Sequence, residues 1–255
     1  LKTPDYFDNS GIAKAEFIGS IPQASSGSFS GAEGDNIGGV AGIGYYDAIS
    51  DSDSQGLGAI QSDTSAVVLG SYPQVFNLLG NKDDYRYNIL TAPGLYKASS
   101  NWSSALTLAL STVSSRGDAI LIMDLVDYDS TITQVTTQAA SVDNSYAASY
   151  WPWVQINDPD SAQLVWCPAS ALLPGVYAYN DKAAEAWFAP AGINRGGLST
   201  VVQAERKLTQ TNRDDLYTGK VNPIATFPGR GVVVFGQKTL QSQASALDRV
   251  NVRRL

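Results

Sequence analysis

The chain has 255 residues, 44% apolar and only 16% charged, with 23 Gly, 28 Ser and a net charge of −7. That is enough chain to bury a core without metal or disulfide support. The absence of histidine excludes a Ser-His-Asp triad, a Cys-His pair, and His-held zinc or haem, and the single Cys167 excludes an internal disulfide or thiolate cluster.

Charge is unevenly placed. Residues 1–180 carry 6 basic and 18 acidic side chains, and residues 181–255 carry 11 basic and 6 acidic. An acidic body with a basic C-terminal quarter points to a partner, and a complementary surface on another copy is as good a candidate as nucleic acid. The basic residues are scattered without aromatic interleaving, so no nucleic-acid partner is expected. No apolar run approaches the roughly 18 residues that cross a bilayer, and no membrane partner is expected either. The chain begins at Leu1 without methionine and stops at Leu255 directly after Val250–Arg254, a strand-like run; together these read as a fragment of a longer polypeptide.

Residues 24–65 are dense in Gly, Ser and Asp and read as long loops with short strands between. Residues 86–91 (RYNILT) form a predicted strand ending at the turn signal Ala92-Pro93-Gly94. Trp102, Ala105, Leu106, Ala109, Leu110 and Val113 then fall on one helical stripe. Ser99, Ser100 or Asn101 would cap this helix, and Gly117 would stop it. Ala119–Met123 has the length of a strand buried on both faces. Strand, helix, strand is a βαβ unit with parallel strands and a right-handed crossover.

A weaker helix is predicted near 132–142, followed by a hairpin of 151–156 and 163–167 around Asn157-Asp158-Pro159-Asp160-Ser161. Pro168 would open a helix that Pro174-Gly175 bends or ends. Past a soft boundary near 195 the pattern predicts strands at 198–205, 224–227 and 232–236, with a helix at 209–218 stopped by Gly219. The fold class is therefore mixed α/β: a central layer with a βαβ unit and flanking helices, plus a smaller β-rich C-terminal segment. The expected divisions are 1–27 as a leader or the end of a preceding domain, 28–195 as the central domain, and 196–255 as the start of another.

Motifs for chemistry mostly fail. Asp51–Gly56 opens like a calcium loop but puts Ser62 where a bidentate Glu is needed. Gly39, Gly42 and Gly44 have the wrong spacing for a dinucleotide fingerprint, and Gly236-Gln237-Lys238-Thr239 is not a phosphate loop. Asp63-Thr64-Ser65 has no second copy to supply an aspartic dyad. Asn101-Trp102-Ser103 matches a glycosylation acceptor without further support. Cys167, in the run Leu164–Cys167, reads as a small buried hydrophobe.

Asp124, at the carboxyl end of the buried strand, is the strongest catalytic candidate, against a reading in which it caps a neighbouring helix or meets solvent. Tyr146, Tyr150, Trp151, Trp153 and Trp166 fit either a sugar-stacking platform or a sheet core. No catalytic, cofactor or metal site is expected.

Several stretches, in order, resemble the tail sheath proteins of contractile-tailed bacteriophages and related injection machines. They are Tyr150-Trp151-Pro152-Trp153, Trp166–Ser170, Gly175–Asp181, Ala189–Gly196, Val221–Ile224, Phe227–Gly231, Phe235–Thr239 and Asp248–Leu255, with looser matches at Gly31–Asp35 and Tyr87–Gly94. Tyr179 stands where relatives often carry Arg, and Pro174 falls within a helix that is smooth in relatives. The resemblance implies a structural virion protein that polymerises helically around the tail tube and contracts, with tube and baseplate as partners and the virion tail as its location. It also implies terminal arms, absent here, so residues 1–255 are expected to be monomeric. A tail-associated hydrolase or carbohydrate-binding module is the competing class. Arg249, Arg253 and Arg254 are the candidates for inter-subunit or inter-domain pairing, against an equal reading in which they pair within the fold or face water.

Overall fold

A computed structural model describes residues 67–100, 102–158 and 162–254. The Gly/Ser/Asp loops of 24–65, with the Asp51, Gly39 and Asp63 motifs, lie outside these residues, as does Asn101. The chain divides into two compact units, 1–72 and 73–255. The described elements are α1 (Val67–Leu78), β1 (Ile89–Tyr96), α2 (Ser103–Arg116), β2 (Ile120–Asp124), α3 (Ile132–Ala140), β3 (Ala147–Ala148), β4 (Tyr150–Trp151), β5 (Val154–Asn157), β6 (Leu164–Cys167), α4 (Leu173–Ala183), β7 (Val201–Ala204), α5 (Gln210–Thr218), β8 (Asn222–Phe227), β9 (Gly231–Val234) and α6 (Val250–Arg253). Three small sheets result, ordered β1-β2-β3, β4-β8-β9 and β6-β5-β7.

The βαβ unit forms as its pattern predicts. β1 and β2 are parallel, with Ile89 opposite Ile120, and α2 packs on both. Every residue of β2 is buried, as a continuous apolar run requires. The stripe on α2 buries Trp102, Ala105, Leu106, Ala109 and Val113, and Gly117 ends the helix in the left-handed region at φ 74°. The helix begins at Trp102, whose side chain makes no capping bond. Thr131 and Gln134 form a reciprocal capping box on α3, and Thr209 with Asn212 does the same on α5.

Three local expectations are corrected. The turn signal Ala92-Pro93-Gly94 lies inside β1: Gly94, at φ 91°, lets the strand bulge, and pairing resumes at Tyr96 opposite Asp124. Pro174 neither bends nor ends a helix but sits in the first turn of α4, where a missing N–H is harmless. A short 3-10 turn at Ala169–Ala171 follows Pro168 instead. Val250–Arg254 is not strand-like; it forms the single helical turn α6, with Arg254 N–H donating to the Val250 carbonyl. Burial of Val250 in the core decides between the two, since four alternating residues carry almost no period information.

Strands on either side of residue 195 pair with one another. β4 runs parallel to β8, and β7 pairs antiparallel with β5. One apolar cluster joins Ile120 and Ile122 to Tyr150, Val154, Leu173, Tyr177, Ile224, Val234 and Val250, with Cys167 packed at its margin. Gly196 is required where the chain crosses β9, because a Cβ there would come within 2.5 Å of the Val234 carbonyl oxygen.

Candidate functional site: a buried carboxyl tie and three surface features

Asp124 ends β2, and its side chain points away from solvent into the start of the turn that precedes α4. Ser170 Oγ donates to Oδ2 at 2.5 Å, and Ser170 N–H donates to Oδ1 at 3.3 Å. A carboxyl group accepting from one backbone amide and one hydroxyl of the short helical turn is the capping alternative, and not the solvent-facing one. Burial pushes its pKa up to about 7, opposed by the two Ser170 bonds. The Cys167 thiol is also pushed up, first by burial and then by the Asp124 charge, which leaves it a poor nucleophile. Among the described residues, no group of His, Cys, Asp and Glu is placed to hold a metal ion.

This tie has a pH signature. A carboxyl whose pKa rises from 3.8 to about 7 on folding binds its proton more tightly in the folded state. Its stabilising effect is complete below pH 3.8, is lost as pH rises to about 7, and is constant above that. The slope is at most about 1.4 kcal/mol per pH unit. Asp124→Asn is expected to flatten the fall in stability between pH 4 and pH 7, measured by urea denaturation across that range. An unchanged pH profile would show that the carboxyl is ionised throughout.

The aromatic candidates separate into three environments. Tyr150 and Trp151 are core residues, with the Tyr150 hydroxyl 2.5 Å from that of Tyr177. Tyr146 lies under Arg253, whose guanidinium carbon is 3.3 Å from the ring centroid. Trp153 and Trp166 project from one face of the β6-β5-β7 sheet and meet Tyr128 at 6.0 and 5.2 Å between centroids. The sequence reading missed Tyr128, whose place beside the two tryptophans depends on the loop after β2.

Arg249, Arg253 and Arg254 all meet groups of their own chain. Arg249 pairs with Asp248 at 2.8 Å, while Arg254 pairs with Asp181 and lies over the Tyr177 ring at 4.7 Å. The Arg254 side chain is only 6% exposed, whereas that of Arg249 is 38% exposed. A cleft of about 830 Å³ opens between α4 and the β8–β9 turn, lined in part by Leu172, Tyr179, Ile193, Thr200 and Arg230.

The described residues thus form a mixed α/β body with a buried carboxyl tie, an exposed Tyr128 beside two tryptophans and an open cleft with Arg230 in its lining. Residues 74–240 match the family model described as the phage tail sheath protein central domain, and the chain belongs to that family. It is similar to the tail sheath protein of Vibrio phage KVP40, 39% identical over 121 residues, and to that of Enterobacteria phage T4, 33% identical over 121 residues. Each match covers 48% of this chain and 17% of the relative, so the chain spans about a sixth of those proteins. Among solved structures it resembles the helical sheath of the anti-feeding prophage in its contracted state, at 25% identity and a TM-score of 0.52, covering 76% of this chain and 48% of that one.

Proposed function

We propose that this chain is the central part of a contractile tail sheath subunit, which polymerises helically around a tail tube, contacts the baseplate, and contracts to drive the tube through a bacterial envelope. The observation that carries this reading is the family match over residues 74–240, laid on a fold similar to that of a contracted sheath. The protein acts as a structural component of the virion tail and performs no catalysis. A subunit that moves as a rigid body between two lattices needs a firm core and polar surfaces that can re-pair, which the shared core cluster and the peripheral arginines provide. We assign Arg249, partly exposed beside Asp248, as the side chain that exchanges its internal partner for one on a neighbouring subunit, with Arg253 over Tyr146 and Arg254 beside Asp181 as the further candidates.

Exposed ion pairs contribute about 0–1 kcal/mol each and weaken in salt. Association costs roughly 4–15 kcal/mol in lost translational and rotational freedom, so a few such pairs do not hold copies together without further chain. Residues 1–255 alone are expected to sediment as a monomer at low and moderate salt. The full-length polypeptide is expected to form tubes visible by electron microscopy. Discrete full-length particles, or tubes of residues 1–255 alone, would overturn the proposal or its account of cohesion respectively.

A further inference from the structure

Residues 117–181 contain eight acidic side chains and no basic one, whereas residues 182–255 contain eleven basic and five acidic. The structure gives each half a distinct surface feature. On the acidic half, the loop after β2 presents Asp127, Tyr128 and Asp129, all exposed. Tyr128 is braced edge-on against Trp153, at 73° between planes, and tilted against Trp166; Trp153 is itself fixed by an Nε1–H bond to the Val126 carbonyl. Rings set edge-on offer no flat platform for a sugar, but a braced aromatic beside carboxylates is the kind of anchor that fills a pocket on another protein. Asp129 is paired with Arg206, while the Asp127 carboxylate accepts only the Tyr128 N–H among the described residues.

On the basic half, Arg230 stands at the tip of the β8–β9 turn between Gly229 and Gly231. Their φ values of 71° and 73° hold a conformation that side chains other than glycine resist. Arg230 is exposed and forms no ion pair among the described residues. Beside it the cleft, whose other wall is α4 of the acidic stretch, displays Tyr179 at 56% and Ile193 at 45% exposure, an apolar lining with one cation at its rim.

Knob and cleft lie on opposite sides of one sheet. In the β6-β5-β7 sheet, Gln155 is opposite Trp166 and Gln203 on the knob face. Ile156 is opposite Val165 on the other face; across a bulge that skips Val202 it also pairs with Val201, which packs against the core and lines the cleft. A molecule with complementary features on opposite faces cannot satisfy them internally, and such a head-to-tail contact repeated from copy to copy builds a ring or an open helix.

We infer that the Asp127–Tyr128 knob of one copy docks in the Arg230 cleft of the next, with Tyr128 on Tyr179 and Ile193 and the Asp127 carboxylate on the Arg230 guanidinium. This assignment names the partner face for the assembly reading and rests on it. The test is a charge swap in the full-length polypeptide, with assembly followed by sedimentation velocity and electron microscopy. Arg230→Asp and Asp127→Arg are each expected to raise the concentration needed for assembly by about tenfold or more, because like charges then meet. The chain carrying both substitutions is expected to return to within about threefold of the unsubstituted protein. All of these side chains are exposed, and unchanged thermal melting confirms that each variant folds. A variant that melted early would be replaced by the neutral Arg230→Gln or Asp127→Asn, each expected to give a smaller loss of the same sign. Folded variants that assemble like the unsubstituted protein, or a double variant no better than the singles, would overturn this contact and leave the assembly reading standing. An unsubstituted full-length protein that never assembles would overturn both.

Discussion

Arg116→Ala is expected to lower the unfolding free energy by about 2–4 kcal/mol, read as a shift of the urea midpoint at constant m-value. The Arg116 side chain is 1% exposed, at the last turn of α2, and every face of its guanidinium is used. Nε and one Nη make a two-pronged contact with Asp118 at 2.9 Å each, while the Nη groups donate to the Leu79 and Tyr85 carbonyls at 2.7 and 2.9 Å. The Tyr87 ring lies 4.2 Å beneath. Truncation leaves two carbonyls short of a donor and a hole under the ring. Asp118 is 45% exposed and stays hydrated, so the loss falls below that of stranding a buried charge. Arg116→Lys is expected to fall between the two, since one ammonium cannot reproduce the fork. Asp118→Asn, which leaves both carbonyl bonds in place, is expected to cost less than either. An Arg116→Ala midpoint equal to that of the parent would mean the bonds to the Leu79 and Tyr85 carbonyls contribute nothing.

Arg116 also marks where sequence reading stops. Its helix was legible because six apolar residues share one stripe and Gly117 supplies a left-handed stop. Nothing in the local pattern distinguishes an arginine buried by a loop 31 to 37 residues away from one facing water. β2 was legible to within a residue for the same reason as α2, a long and consistent apolar pattern. β1 was legible in part: its partner and the stretch Ile89–Thr91 follow from the pattern, but the strand starts three residues after Arg86, and Pro93 and Gly94 mark a turn in most contexts. Here the neighbouring strand supplies enough pairing to carry the chain through a bulge.

The candidate site divides along the same line. Asp124 was found from its position at a strand end, but its role depends on Ser170, 46 residues later. The Leu164–Cys167 run reads as buried, yet Leu164 is 55% exposed and Cys167 only half-buried, because β6 is an edge strand with one face open. The three arginines were singled out for their charge. Their internal partners, Asp181 for Arg254 and Tyr146 for Arg253, belong to segments that sequence spacing does not connect.

Asn222→Ala is expected to cost about 2–4 kcal/mol, and Asn222→Asp more than that despite its nearly identical shape. Asn222 is fully buried at the start of β8, where β4 and the stretch after β9 converge. Its Nδ2 donates to the Ser149 carbonyl at 3.0 Å and to the Lys238 carbonyl at 2.7 Å, and its Oδ1 accepts from the Lys238 N–H at 2.6 Å. One amide thus supplies a donor and an acceptor to the Lys238 carbonyl and N–H, and a second donor to the Ser149 carbonyl, which also accepts the Asn222 N–H. Gly236 makes this possible, because a Cβ there would stand 2.8 Å from Oδ1. Alanine leaves the Lys238 N–H and carbonyl without this partner in a site too tight for easy entry of water. Aspartate keeps the acceptor but turns a second oxygen toward two carbonyls and buries a charge, so its loss should be greatest at neutral pH and shrink on acidification, when a protonated carboxyl regains one donor. Urea midpoints for both variants at neutral and acidic pH separate these effects. Equal losses for alanine and aspartate at neutral pH would show that the volume of the side chain, and not the direction of its hydrogen bonds, is what this junction needs.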